Sequence, residues 1–435
     1  MNGKTIYREI TKNLSGTHAS FIPGDFHFLP NRFFVPKGIF QTTCEGKNLN
    51  YLGAQTNQIT AGSISFDKEE AIISTFGEFV ERYCASFQLQ QSHNIIENIS
   101  HKEISKTHNV INFGYLKLYK DEQFDENFPY IKITKETPID WVKGYCHITQ
   151  REIYLPCEFV FLPYKYSENN RSYWNQTSTG LAAHTDRLKA IQGGYLESEE
   201  RNAFSKWWYL QNKEINRQIK YNQKTVIEYY KENNRINQLY NNDRVEIITY
   251  DLGNYSNVET IVCFTIFTYK EKEYISIGCS SRFNKEEALI KACMESYQGI
   301  DYAILLCGKK NWIDGADKDF NLIDGFDKHF AFYNLHPEFR TKIPLYQNLK
   351  NDDYSDIKIF NKVRSFDLKG LKDNHNDIKH IISVDLTTED VRTLGFEVYR
   401  VSVPGFHLLT GTHKTPFLGF FEEKELFLDY PHPFP

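Results

Sequence analysis

Between residues 66 and 90 the apolar side chains return at Ala71, Ile72, Phe76, Phe79, Val80 and Tyr83. That spacing is close to 3.6 and predicts an amphipathic helix, with Asp67 placed as its N-cap. Residues 185–209 and 284–307 read as two more helices, the latter opened by Asn284 as a cap. Elsewhere the pattern is β-rich. "IDWVKGYCHIT" and "EIYLPCEFVFLPY" flank a "QRE" turn, and "ETIVCFTIFTY" and "EYISIGCS" flank "KEK" as a hairpin. "TVIEYYKENNRINQLY" at 225–240 reads as one amphipathic surface helix, and "FEVYRVSVPGFHLL" as a late strand ended by a Pro-Gly turn. The stretch 308–375 is polar and shows no clear period. Strands and helices mix without regular βαβ alternation, which points to the α+β class.

Composition narrows this picture rather than changing it. A chain of 435 residues with 40% hydrophobic and 25% charged residues can bury a sizeable core. The net charge of −5 and pI near 6.3 speak against a general nucleic-acid binder. No apolar run is long enough to span a bilayer, and the N-terminal residues lack a signal-peptide core. The eight cysteines are scattered with no CxxC pair, as expected of free thiols in a reducing cytoplasm. No low-complexity linker or clean domain boundary interrupts the chain.

The candidate chemistry lies on the helices. The first carries Ser74, Glu78, Glu81 and Arg82, and the second repeats the ExxER spacing with Glu197, Glu200 and Arg201. Spacings of three and four put these groups on one helix face. A single ExxER is ordinary on a solvated helix. Both copies here sit among apolar residues, so their carboxylates are expected to be partly buried, and neighbouring buried carboxylates take up protons unless a cation neutralises them. The third helix adds Glu295 and Gln298. Mg²⁺ takes one or two carboxylates together with substrate phosphates, and Arg82, Arg201 and Arg282 suit phosphate oxygens. The residues therefore suggest a Mg²⁺–nucleotide site between three helices. The usual nucleotide motifs are missing: "NGKT" at 2–5 has no upstream glycine loop, and there is no GxGxxG. HExxH is missing too, and His184 and His413 stand alone.

Four segments together resemble one family. "AIISTFGEFVERYCA", "TSTGLAAHTDRLKAIQGGYLESEERNAF", "EEALIKACMESYQ" and "YRVSVPGFHLL" are similar to the signatures of YcaO-domain proteins. The resemblance runs from about residue 60 to the end. It implies an α+β ATP-binding fold with mixed or antiparallel strands and acidic helices around a central nucleotide site. Residues 1–60 would be an N-terminal extension packing on a catalytic domain of residues 61–435. By this resemblance Glu78, Glu81, Glu197, Glu200 and Glu295 would hold Mg²⁺. Arg82 and Arg201 would stabilise the phosphates or the carboxylates, and Ser74, Ser178 and Gln298 would line the ATP pocket. The chain departs from the family pattern at "TAGS" (60–63), where a lysine is missing, and at His184, Lys189 and Asn202.

The resemblance also implies a reaction. In azoline-forming members a Cys, Ser or Thr side chain attacks the preceding carbonyl, the amide oxygen is phosphorylated by ATP, and phosphate leaves. These members commonly end in PxPxP, and this sequence ends "PHPFP". The Pro435 α-carboxylate would then act at the active site as a base or orienting group, on a tail stiffened by proline. Other YcaO activities, such as thioamide or amidine formation, and a non-catalytic scaffold remain open. The resemblance further implies a ribosomal precursor peptide as substrate and a separate ThiF-like protein that binds its leader. An FMN-dependent azoline dehydrogenase would be a further partner.

Overall fold

The periodic segment after residue 66 folds as helix α1 (Lys68–Ala85), capped by Asp67, whose side chain accepts a hydrogen bond from the Glu70 N–H. Phe76, Phe79 and Val80 on its inner face are fully buried. The structure is a computed structural model. It describes residues 26–30, 33–46, 59–88, 94–165, 172–210, 219–359, 362, 365, 378–421 and 428–435. The second and third periodic segments form α2 (Arg187–Tyr209) and α5 (Lys285–Gly308), capped by Asp186 and Asn284.

Three sheets surround these helices. The first joins β1 (His27–Leu29), β2 (Phe40–Glu45) and β3 (Thr60–Ser65) in that order. Part of the N-terminal sixty residues thus shares a sheet with the strand that leads into α1. The second sheet has the order β11-β10-β9-β8, from β8 (Ile219–Asn222), β9 (Glu246–Asp251), β10 (Glu259–Tyr269) and β11 (Lys272–Arg282). The third follows β4 (Ile95–Ser100), β5 (Pro138–Cys146), β12 (Ile382–Asp385), β13 (Glu397–Ser402) and β7 (Leu181–His184), with β6 (Arg151–Pro156) paired to β5. All pairings between these strands are antiparallel. Helix α1 packs against β2, β3 and β7, α2 against β7, β11 and β13, and α5 against β10 and β11. The architecture is α+β.

The β10–β11 hairpin closes through Lys270 and Glu271, both with positive φ (49° and 62°), the backbone that a two-residue hairpin turn favours. Two expectations need correction. Residues 225–240 are not one surface helix. They form parts of α3 (Gln223–Tyr229) and α4 (Asn234–Tyr240), because the Asn233 side chain accepts from the Arg235 and Ile236 N–H groups and starts a new helix. Nor is α4 a surface element, since Ile236, Leu239 and Tyr240 are fully buried. The strand expected through "EIYLPCEFVFLPY" stops at Pro156, and Cys157–Phe159 turn into a 3-10 segment. The unreadable polar stretch contains α6 (Phe326–Leu335), whose Phe330, Phe332 and Tyr333 are buried. Seven of the eight cysteines are buried and all eight are free. No helix among the described residues is long and apolar enough to cross a membrane.

Candidate active site

Helices α1, α2 and α5 turn their acidic faces onto one cleft of about 1680 Å³. All twelve candidate residues line it: Ser74, Glu78, Glu81 and Arg82 from α1, Ser178 ahead of β7, Glu197, Glu200 and Arg201 from α2, Arg282 at the end of β11, Glu295 and Gln298 from α5, and Pro435. Four of the glutamates are aimed by backbone donors. Glu78 Oε2 accepts from the Gly62 N–H (2.9 Å) and Glu81 Oε1 from the Ala183 N–H (2.8 Å). Glu197 Oε2 accepts from the Gly180 N–H (2.9 Å) and Glu200 Oε2 from the Ser281 N–H (3.3 Å). Strands β3, β7 and β11 thus each orient a carboxylate that a helix supplies.

The second oxygens of Glu78, Glu197 and Glu200 face arginines. Arg82 Nη2 lies 3.2 Å from Glu78 Oε1, and Arg201 Nη2 lies 3.5 Å from Glu197 Oε1. Arg201 Nη1 sits 3.3 Å from Glu200 Oε1 without a directed hydrogen bond. Lys291 Nζ is 3.5 Å from Glu295 Oε1. These positive charges do not balance the set. Burial pushes the Glu81 carboxyl well above the usual carboxylate range, and the charges on Glu197 and Glu78 push it further. Burial raises Glu200 to about 8, with Arg201 opposing and Glu295 and Glu197 adding to the rise. Burial also works against the charge on Arg201, but Glu200 and Glu197 outweigh it and hold the guanidinium above its ordinary value.

Carboxyls pushed up by burial and by neighbouring carboxylates are suited to a divalent cation. Among the described residues no three His, Cys, Asp or Glu side chains gather closely enough to hold a metal ion by themselves. Mg²⁺ does not require such a cage, because it keeps waters and takes phosphate oxygens beside one or two carboxylates. The donor set therefore fits Mg²⁺ brought with a nucleotide.

The C-terminal residues are seated rather than loose. His432 is fully buried, with its Nε2 2.8 Å from the Thr410 carbonyl oxygen. Its Nδ1 accepts from the Phe434 N–H at 3.3 Å. The His432 ring stacks on His329 of α6 at 3.9 Å, and the Tyr333 hydroxyl donates to the Pro431 carbonyl at 2.6 Å. Phe434 packs on Phe204 of α2 at 4.9 Å between ring centroids, and the Arg201 guanidinium lies over its face at 4.0 Å. Pro435 is exposed at the cleft.

The departures from the family pattern also take their places. Gly62 of "TAGS" is the donor to Glu78, and His184 and Lys189 line the cleft. Asn202 is buried, its Oδ1 accepting from the His407 N–H. His184 Nδ1 accepts from the Asp186 N–H, and His413 Nε2 lies 3.3 Å from Asp429. Sequence reasoning passed over Lys291, although its position four residues before Glu295 on a helix is a readable signal. It also passed over His329 and Tyr333, which carried no local signal at all.

Solved structures share this fold. A heterocyclase in complex with substrate and cofactor superposes with a TM-score of 0.71 at 15% identity, covering 100% of this chain. This chain spans 57% of the length of that heterocyclase. YcaO from Methanopyrus kandleri, bound with AMPPCP and Mg²⁺, gives 0.55 at 17% identity over 94% of this chain and 92% of its own. The E. coli microcin synthetase McbBCD complex with pro-MccB17 bound gives 0.62 at 14% identity over 97% and 99%. No curated protein sequence matches the chain. Residues 64–407 match the family described as YcaO cyclodehydratase, ATP- and Mg²⁺-binding, a span that holds all three acidic helices, and the chain belongs to that YcaO family of ATP-dependent enzymes.

Proposed function

We propose that the chain is an ATP- and Mg²⁺-dependent cyclodehydratase that forms thiazolines and oxazolines at Cys, Ser and Thr of a ribosomal precursor peptide. The observation that carries this reading is the meeting of two glutamate–arginine faces, a third acidic helix and a seated tail tip in one cleft. The likeness to a heterocyclase with substrate bound and to a microcin synthetase complex supports a peptide substrate and protein partners. A ThiF-like leader-binding protein is the proposed partner, and an FMN-dependent dehydrogenase would act on the product. The division into an extension (1–60) and a catalytic domain (61–435) belongs to the same proposal.

In this reading Glu78, Glu81, Glu197, Glu200 and Glu295 hold Mg²⁺, which supplies charge neutralisation at the transferring phosphoryl group. Arg82, Arg201 and Arg282 orient phosphate oxygens, and Ser74, Ser178 and Gln298 line the nucleotide pocket. The undirected Nη1 of Arg201 is a donor available to such an oxygen. The peptide's thiol or hydroxyl attacks the preceding carbonyl carbon, and the amide oxygen takes the γ-phosphoryl group and departs as phosphate. Two protons must leave, one from the attacking side chain and one from the amide nitrogen. A chain ending at Pro435 offers its α-carboxylate at the cleft for this transfer.

The test combines the chain, its partner, a Cys-containing precursor, Mg²⁺ and ATP, with peptide mass as the readout. The expected result is loss of one water per ring, abolished by Glu78→Gln or Glu200→Gln. A mass change from sulfur replacing oxygen would assign thioamide formation instead. An unmodified peptide with the wild-type chain, under conditions where nucleotide binds, would overturn the enzyme reading. Appending a residue after Pro435 should impair cyclisation while ATP affinity stays near that of wild type.

A further inference from the structure

We propose that Phe434 is a positioning residue that ties tail seating to nucleotide affinity through Arg201, an inference that rests on the nucleotide cleft described above. Glu197 and Glu200 lie at 3.5 and 3.3 Å from the guanidinium, whose central carbon lies over the Phe434 ring at 4.0 Å from its centroid. The ring takes one side of the guanidinium while Nη1 and Nη2 lie beside the carboxylates, and a guanidinium stacks on an aromatic face without giving up its N–H donors. The same ring excludes water from that side, and a cation–π contact strengthens as it is desolvated. Phe434 is itself 4% exposed.

The ring is held from two sides. Phe204, three residues after Arg201 on α2, packs against it edge to face. Its backbone N–H is tied to His432 Nδ1, and His432 is clamped by the His329 ring and the Thr410 carbonyl. Contacts thus run without a gap from α6 through His432 and Phe434 to Arg201, and on to the two glutamates of α2. When the tail leaves its seat, Arg201 loses its apolar cover while Glu197 and Glu200 stay beside it, and both compete with phosphate for its donors. A seated tail therefore raises affinity for Mg²⁺·ATP. This role is distinct from that of Pro435, which faces the cleft one residue further on.

The test is Mg²⁺·ATP titration of the full chain by calorimetry, with thermal melts run alongside. Phe434→Leu should weaken binding by about fivefold to thirtyfold, the worth of a desolvated cation–π contact. Phe434→Met, which fills the space without a π face, should weaken it similarly, so a folding defect in one variant leaves the other as the readout. Phe434→Tyr should stay within about twofold of wild type. A purely packing role would not obey one further expectation: in an Arg201→Lys background, Phe434→Leu should cost much less affinity than in the wild type. Affinity unchanged in both F434L and F434M, or costs that add fully in the double variant, would overturn the proposal. A wild type that binds Mg²⁺·ATP yet forms no azoline would overturn the proposed reaction alone, and one that binds no nucleotide would overturn both.

Discussion

His432 sits between Thr410, His329 and Phe434 as a neutral ring. Burial holds its pKa down to about 3 from an ordinary 6.5, with the charges on His413 and Arg201 adding to the depression. Burial drives His329 well below its ordinary value too, with His432 and His413 contributing, and burial holds His407 at about 3. In the unfolded chain these imidazoles take up protons near pH 6.5, and in the fold they do not. Their contribution to stability is therefore complete above pH 6.5 and is lost as pH falls from 6.5 toward 3. At pH 5, His432 and His407 each account for roughly 2 kcal/mol. Melting followed from pH 7.5 to pH 5 should show a steep loss in the wild type. His432→Gln should start lower at pH 7.5 and lose less over the same interval, and parallel curves would show that His432 is not one of the titrating groups.

At the scale of elements, the glutamates depend on close backbone approaches that two glycines permit. Gly180, at φ +86°, donates its N–H to Glu197, and a Cβ there would fall 2.0 Å from the Val401 carbonyl oxygen. On β11, a Cβ at Gly278 would meet the Ala292 carbonyl at 2.2 Å and the Ser296 nitrogen at 2.4 Å, both on α5. Gly278→Ala should push α5 off β11, carry Glu295 with it, and cost roughly 1–3 kcal/mol in denaturant unfolding. Wild-type stability in that variant would show slack between helix and strand. These elements also mark what could be read from the chain. The ExxER faces were legible because helical spacing is local, so Glu78, Glu81 and Arg82 needed only their own neighbours to be grouped. Their orienting partners at Gly62, Gly180, Ala183 and Ser281 act through backbone N–H groups, which every non-proline residue carries and no residue type announces. His329 and Tyr333 were hidden for another reason: the residues they hold, His432 and Pro431, lie about a hundred positions away. The split at Asn233 was missed because the hydrophobic period carries through the break, while the cap that makes it is one side chain.

At the scale of the molecule, each sheet contributes one wall of the cleft: β3 through Gly62, β7 through Ala183, and β11 through Ser281. A ligand that bridges these walls stabilises the arrangement of all three sheets and not one element alone. Mg²⁺·ATP at one hundred times its Kd should add about 2.7 kcal/mol to unfolding. The rise in Tm should need both metal and nucleotide and should vanish with EDTA, whereas a full rise with ATP alone would mean that the glutamates hold no metal. The α+β class and the family were legible because the signatures recur over most of the chain. The three-sheet layout was not, since strand order is set by pairings such as β2 with β3 and β7 with β13 that leave no mark in either strand alone. The socket for Pro431 and His432 draws on Phe204, His329, Tyr333 and Thr410, all of which precede them in the chain. A ribosome therefore delivers residues 431–434 only after their receptor has been made. The acidic helices and their sheets can therefore assemble while Arg201 still lies bare of Phe434, and synthesis order alone sets the cover on the nucleotide site after the walls that it completes.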